Sequence, residues 1–506
     1  MGAAALAVAV ALLVVGCGGG GSSSGDSGAK PKAGGTLRLS QGEEVLTLDP
    51  LEALDGFSVN LVSQINESLF KVNAEGKNEP WLLSNVQTSS DQRVWTLSLK
   101  DGVKFSDGSP MTSADVLFTF ETAKKSPIWG SFFEADTFKA PSPTTFVIKS
   151  EKPAPELPAI LSQWSFGIVP KDYGGVSEKE FAASPVGTGP FMLEKWKRGE
   201  AITLAKNPNY WDQGKPYLDK VVFQSVPNPQ SRTAQLKGGQ LDLISNPSWP
   251  QVASIESTPG LRFGEYALGY SQAVSLNNRL PLFQNPKVRE AVYLALDREG
   301  MLKASVGDHG EPGGSWIPPA VPYHDTTIKV PARDLDKAKS LMAEAEGEGV
   351  DPTVTMLTYE SSFWETAEQI LQQNLEEIGF TVKVQKLDTA ALTEALAEGE
   401  FGVAPIEAYD AIPSPSELFG LYNAYEGLYS GSDTTETERL AEEAVGEVDP
   451  GKREALWHEA QQVIENDKNL ITVAYLPYAW AMRDDLAGFT VTTTGTPWLA
   501  DAGFSE

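Results

Sequence analysis

Histidine and cysteine, the side chains that most often activate nucleophiles or hold transition metals, are scarce in this 506-residue chain. His309, His324 and His458 are scattered, with no His-x-x-His spacing, and Cys17 is the single cysteine. A transition-metal site built from protein ligands is therefore not expected, and no cofactor is implied. Neither a Gly-x-Ser-x-Gly elbow nor a His-Glu-x-x-His helix occurs, so no catalytic group is assigned. Carboxylates are too abundant for the sequence to exclude glycosidase-like acid–base use. Gly187-Thr188-Gly189-Pro190 lacks the Lys and the following helix of a phosphate loop and reads as a tight turn. What remains suits recognition rather than conversion. Trp249 sits in the Pro-bounded stretch Asn246-Pro247-Ser248-Trp249-Pro250, and Trp316 in Gly314-Ser315-Trp316-Ile317-Pro318. Tyr359 and Trp364 flank a strand-to-helix loop, where α/β folds place ligands. Large amphipathic rings of this kind adapt to varied partners.

Cys17 has chemistry of another sort. An apolar run from Ala3 to Val15 precedes Gly16-Cys17, and Gly18–Gly25 is all Gly and Ser. The run is too short to span a bilayer, which needs ~20 residues, and fits the h-region of a secretory signal. A small residue followed by Cys at that point resembles the lipobox of bacterial lipoproteins, which implies cleavage before Cys17 and a diacylglyceryl group on its sulfur. Residues 1–16 are then a signal peptide and 17–34 a lipidated, flexible tether, with a reach of roughly 23 Å. With Cys17 so used, no disulfide can form within the chain, and the fold must stand by packing alone.

The remaining about 490 residues exceed one compact core, so two or three lobes are expected. A formal charge of −28 makes nucleic acid an improbable partner. Ordered structure is predicted from Gly35-Thr36-Leu37-Arg38-Leu39, an alternating strand. Val94–Leu99 alternates too, and the turn Lys100-Asp101-Gly102 predicts Val103-Lys104-Phe105 as a returning strand. Thr112-x-x-Asp115 opens a helix bearing Val116, Leu117 and Phe120. Strand cores at 146–148, 191–193, 202–204 and 221–223 make the first half β-rich. From Asn285-Pro286, an N-cap and its N1 proline, helices and strands alternate: a helix over 334–345, a strand over 353–359, a helix over 370–378, a strand from Phe380, a helix from Asp449-Pro450, and a closing strand from Leu470. That alternation predicts parallel strands in an α/β second half.

Four blocks carry a family resemblance. Val94–Leu97 with Gly102–Val116 resembles the signature of the dipeptide/oligopeptide/nickel-binding group of extracytoplasmic solute-binding proteins, which serve ATP-driven importers. Pro185–Phe191 with Asn207-Pro208-Asn209-Tyr210-Trp211 resembles a second block, Asn285–Ala291 with Ala295–Arg298 a third, and the helix–Gly–strand unit ending in Phe380-Thr381-Val382 a fourth. They stand in family order across roughly residues 35–490. The resemblance implies an α/β fold of the two-lobed periplasmic-binding-protein (type 2) clamshell, with an extra β-rich subdomain in lobe I. Lobe I would comprise residues 35–72, 187–278 and 476–506, its extra subdomain residues 73–186, and lobe II residues 279–475. Two crossing segments, near Tyr270–Asn278 and Val473–Ala479, would form the hinge.

The resemblance also implies where a solute sits. In the family a lobe II loop supplies an Asp that pairs with a peptide's α-ammonium. Glu407-Ala408-Tyr409-Asp410 matches that stretch, giving Asp410 and its neighbour Tyr409 as candidate ligand residues. Where the family often carries Gly-Trp before the Asp, this chain has Glu407-Ala408, which opens the site to a cationic, sugar-like or modified peptide. Trp129 and Phe132 match the region in which family members present an aromatic to the cleft. The implied function is the substrate-binding component of an ABC importer, capturing a peptide or related small solute and presenting it to the membrane permease. The expected partners are that solute, the permease and the lipid anchor. The protein would be a monomer, held outside the cytoplasm on the outer face of the cell membrane, and not an enzyme. An extracellular ligand sensor on the same fold is the alternative, and an extracellular hydrolase a more distant one.

Overall fold

The computed structural model describes residues 30–505 except 54, 74, 127–128, 134–135, 360–364 and 410–412. The first elements are strand β1 (Thr36–Gln41) and helix α1 (Gly56–Ile65). A four-stranded antiparallel sheet follows, made of β2 (Leu83–Thr88), β3 (Val94–Leu99), β4 (Thr137–Ser142) and β5 (Thr145–Lys149) in the order β2-β3-β5-β4. Helix α2 (Ser113–Lys125) packs on it. Its capping box is complete: the Thr112 side chain caps the helix backbone, and Asp115 accepts from the Thr112 N–H at 2.7 Å. Leu97, Phe146, Ile148, Phe120 and Phe166 fill the core between them. The expected hairpin partner of Val94–Leu99 is different. Val103–Phe105 contributes only an isolated bridge, Lys104 to Pro110, and β3 pairs instead with β2 and β5. Both sides of β3 are already taken, by β2 and by β5 with its buried Phe146 and Ile148.

The main sheet collects β1 with β6 (Phe191–Lys197), β7 (Ala201–Lys206), β8 (Lys220–Ser225), β9 (Leu243–Ser245), β10 (Leu261–Leu276), the two-residue β11 (Glu311–Pro312), β12 (Thr353–Tyr359), β13 (Thr381–Leu387), β14 (Val403–Tyr409) and β15 (Leu470–Arg483). Their order is β13-β12-β14-β10-β15-β9-β1-β8-β7-β6, with β11 beside β15. β1 runs parallel to β8 and β9, and β12 runs parallel to β13 and β14, as the alternation in the second half predicted. The closing strand expected from Leu470 continues to Arg483. With β10 it forms a long antiparallel pair that serves both ends of the sheet: Leu261–Tyr266 faces Arg483–Tyr478, and Tyr270–Ser275 faces Leu476–Leu470.

Helices cover the second half's strands, each started as its sequence dictates. Asn285 caps Pro286–Ala295 by accepting from Lys287 N at 3.0 Å, and Asp449 caps Pro450–Asp467 by accepting from Lys452 N at 3.0 Å. Separate cores lie at the two ends: Leu37, Leu39, Leu204, Val221 and Trp480 at one, and Trp316, Leu357, Ile406, Leu418 and Trp457 at the other. Gly187 and Gly189 lie against the end of α1, where a Cβ on Gly187 would come within 2.0 Å of the Ile65 carbonyl oxygen. That contact makes their motif a packing turn. Among the described residues no helix is long and apolar enough to cross a membrane.

Candidate interlobe solute site

Sheet register brings two strand edges to face each other. β9 ends at Ser245, which lies opposite Trp480 of β15, itself opposite Gly264 of β10. β14 runs against β10 and ends at Tyr409, opposite Tyr270. The carboxyl ends of the two parallel groups therefore point toward each other across the middle of the crossing pair. On β15 the two levels, Trp480 and Leu476, are four residues apart, roughly 13 Å at ~3.3 Å per residue. Open α/β sheets bind ligands at the carboxyl ends of their strands, and here two such edges face each other along the crossing pair.

Arg232 clamps the first edge. Its guanidinium donates to the carbonyls of Val226 (2.6 Å), Pro227 (2.9 Å), Ser245 (3.2 Å) and Asn246 (2.8 Å), tying together the ends of β8 and β9. The residue is only 4 % exposed, and burial pushes its pKa down to about 10, so it stays charged at neutral pH. Asn246 holds a left-handed backbone (φ 44°), a conformation Asn tolerates, and donates its N–H to Ala479 at 2.8 Å. Trp249 follows, half-buried, with its ring 6.0 Å from Phe263 and 5.3 Å from His309. His309 pairs with Glu265 of β10.

The second edge is polar. The Tyr270 hydroxyl donates to the Glu407 carboxylate across the β10–β14 ladder. Gln272 lies opposite Glu407 and is 1 % exposed, and both polar atoms of its amide lack a hydrogen-bond partner among the described residues. A buried amide left unsatisfied is costly.

The sequence candidates divide among these surroundings. Tyr359 ends β12 and Tyr409 ends β14, both on the second edge. Asp410, Trp364 and Cys17 lie outside the described residues. Trp129 and Trp316 are turned inward. Trp129 is 7 % exposed, donates its Nε1–H to the Leu51 carbonyl at 2.9 Å, and packs on Trp164 and Phe166 in the small-sheet core. Phe132 is partly exposed beside it. Trp316 has no exposed surface; its Nε1–H meets the Leu418 carbonyl at 2.7 Å, and its own carbonyl accepts from Ser271 Oγ. Arg232, Tyr270, Gln272 and the His309–Glu265 pair were not singled out from the sequence. Nothing local to Arg232 in the sequence announces the four carbonyls around it. Among the described residues no group of three or more His, Cys, Asp or Glu is placed to hold a metal ion.

Residues 77–429 match the sequence profile of the bacterial extracellular solute-binding proteins, family 5. The chain belongs to this family. As a family 5 solute-binding protein it is the substrate-binding component of an ABC importer. Among its relatives, the glutathione-binding protein GsiB of Shigella dysenteriae serotype 1 is 25% identical over 486 residues, 92% of each chain. Two solved structures share its fold. The ABC transporter-associated periplasmic binding protein DppA from Helicobacter pylori, in complex with the peptide STSA, superposes with a TM-score of 0.79 at 25% identity, covering 94% of this chain and 99% of that one. MoaA from A. tumefacien R10, in complex with mannopinic acid, gives 0.80 at 25% identity, covering 94% and 100%. The family 5 chain thus has the periplasmic-binding-protein fold expected from the sequence.

Proposed function

We propose that this family 5 protein captures a small amine-bearing solute, a peptide or modified peptide, between the two facing strand edges and hands it unaltered to the membrane permease. The observation that carries this reading is the opposition of the Ser245 and Tyr409 strand ends across the crossing pair. Closure of two halves around a solute needs such a gap and a pair of connecting strands. A ligand that touches both sides favours the closed form only by its differential affinity for it. Carboxylate at the second edge suits an ammonium group: Glu407 is there, and Asp410 follows the end of β14. In a site that excludes water such a pair gains strength. The glutathione-binding relative and the solved complexes with the peptide STSA and mannopinic acid support a solute of this size. Lobe I then comprises residues 35–72, 187–278 and 476–506 with its small-sheet subdomain at 73–186, lobe II comprises 279–475, and Cys17 carries the lipid that moors a monomer outside the cell membrane.

A thermal-shift panel of reduced glutathione, the peptide Ser-Thr-Ser-Ala and mannopinic acid tests the reading. A true ligand at 100 times its Kd adds ~2.7 kcal/mol to stability, and mass spectrometry should recover it unchanged. Asp410→Asn should weaken an amine-bearing ligand at least tenfold without lowering the Tm of the free protein. Cys17→Ser should release the protein from the membrane fraction. Recovery of a converted product, or an unchanged affinity in Asp410→Asn, would overturn the corresponding part.

A further inference from the structure

Glu156 stands immediately before helix α3 (Leu157–Ile160), in the segment that carries the small sheet. Its carboxylate is not spent there. Oε2 accepts from Ser414 Oγ at 2.5 Å, and Oε1 accepts from Trp457 Nε1 at 3.3 Å. Both partners belong to the other half of the molecule. Ser414 is the N-cap of the helix Pro415–Tyr422, where its Oγ accepts from Ser416 N, and it lies two residues beyond position 412. Trp457 belongs to the helix Pro450–Asp467 and stacks on Phe419 at 5.2 Å. Glu156 is 8 % exposed, and Ser414 and Trp457 are fully enclosed.

A carboxyl group inserted among another half's buried residues loses its water, and burial pushes its pKa up from the ordinary range. The hydrogen bonds from Ser414 and Trp457 and the charge of Arg453 oppose that shift. Such an arrangement stabilises only if every polar atom is met. Here the carboxylate accepts from Ser414 and Trp457, and among the described residues the Trp457 N–H meets no acceptor but Glu156. When the halves separate, both groups return to water. The contact therefore exists in one arrangement of the halves and not in the other, which is what lets it bias closure.

Resting on the reading of a closing interlobe site, we propose that Glu156 is a positioning residue for solute capture, docking between Ser414 and Trp457 to hold the two halves together. It touches no solute. It acts through the cap of the helix Pro415–Tyr422 and through the population of the closed form.

Double electron–electron resonance on the full-length chain tests this, with spin labels at Lys152→Cys and Lys452→Cys in a Cys17→Ser background, with and without reduced glutathione as the probe. Glu156→Ala should move the ligand-free distances toward the longer component, shifting the ratio of separated to closed forms about tenfold, with little change in Tm. Glu156→Gln should restore the parent distribution, because its amide nitrogen donates to Ser414 Oγ and its oxygen accepts from Trp457. Trp457→Phe keeps the stack on Phe419, removes one donor, and should shift the ratio in the same direction by a smaller factor. A Glu156→Ala distribution identical to the parent's overturns the proposal, whether or not glutathione binds. Loss of the closed form in Glu156→Gln as complete as in Glu156→Ala overturns it too. A parent that shortens its distances with no probe in the panel counts against the capture reading itself, and the ligand-free comparison still judges Glu156.

Discussion

Tyr266 lies opposite Tyr478 in the crossing pair of strands, and it is the last matched residue before the register breaks and Tyr270 comes to face Leu476. Residues 267–269 thus stand against a single residue of the partner strand. Extra residues of this kind bend a strand and increase its twist, and this one falls in the stretch that joins the two ends of the sheet.

Gly269 occupies the break at close quarters. A Cβ there would lie 2.7 Å from Tyr478 Cε2 and 2.9 Å from the Thr493 carbonyl oxygen. The tyrosine ring can move, but the backbone oxygen cannot easily do so. Gly269→Ala should therefore destabilise the protein by about 1–3 kcal/mol and alter solute affinity, because the strain enters the crossing pair between the two facing strand ends. Urea unfolding with parallel titration calorimetry measures both; unchanged values in each would show that the break accommodates a methyl group.

Glu67 gathers three donors: Trp81 Nε1 at 2.7 Å and the Tyr210 hydroxyl at 3.0 Å on Oε1, and Trp211 Nε1 at 2.9 Å on Oε2. Burial nevertheless dominates and pushes its pKa up to about 7, and burial does the same to Glu465 and Asp49. A carboxyl with a raised pKa binds its proton more tightly in the folded chain than in the unfolded one. Its contribution is full below the unfolded value and is lost as pH rises through about 7. The Tm should therefore fall between pH 5 and pH 8. Glu67→Gln should flatten part of that decline. It should also cost about 1–3 kcal/mol, since an amide nitrogen in place of Oε2 would oppose the Trp211 N–H. A steeper fall with pH in the variant would reverse the assignment.

The contrast between Glu67 and the main sheet shows what the sequence could reveal. Alternation, caps and prolines are local, so the strands at 191–197, 201–206, 220–225, 353–359 and 381–387 and the helices at Pro286 and Pro450 are readable directly. Pairing is not local. Val103–Phe105 looked like the return of a hairpin, but β3 chose Thr145–Lys149, more than forty residues onward. The site was legible in the same measure. Trp249, in its Pro-bounded loop, is half-buried beside Phe263 and His309, whereas Trp316, in a loop of the same character, is enclosed because Leu418 and Ser271 close over it from distant segments. Arg232 and Glu156 carried no local signal, since their partners lie in other elements of the fold.

Trp316 and Trp249 should accordingly respond differently to the same substitution. Trp316→Ala empties a fully buried ring site and should cost about 3–5 kcal/mol. Trp249→Ala removes a half-buried ring at the first strand edge and should cost less stability while weakening solute binding. Denaturation midpoints and affinities for whichever panel compound binds will separate the two. Equal losses of stability would place Trp249 in the core rather than at the solute.

Arg232 offers the sharpest test of how the first edge is held. Its planar fork reaches four carbonyls on two loops, and among the described residues no carboxylate is within ion-pair distance. A lysine ammonium is a compact charge with three donors and no fork, so it cannot span Val226 and Asn246 together. In Arg232→Lys at least one buried carbonyl should be left unmet, at about 1–3 kcal/mol, and the loops ending β8 and β9 should loosen. The decisive comparison is between stability and binding. If the clamp shapes the solute site, affinity should fall more than tenfold in a variant that remains folded at 25 °C, and the loss should appear as faster dissociation, because the preformed edge is what retains the solute. If Arg232→Lys lowers the Tm but leaves affinity and dissociation rate unaltered, the four bonds serve the fold of the first edge alone.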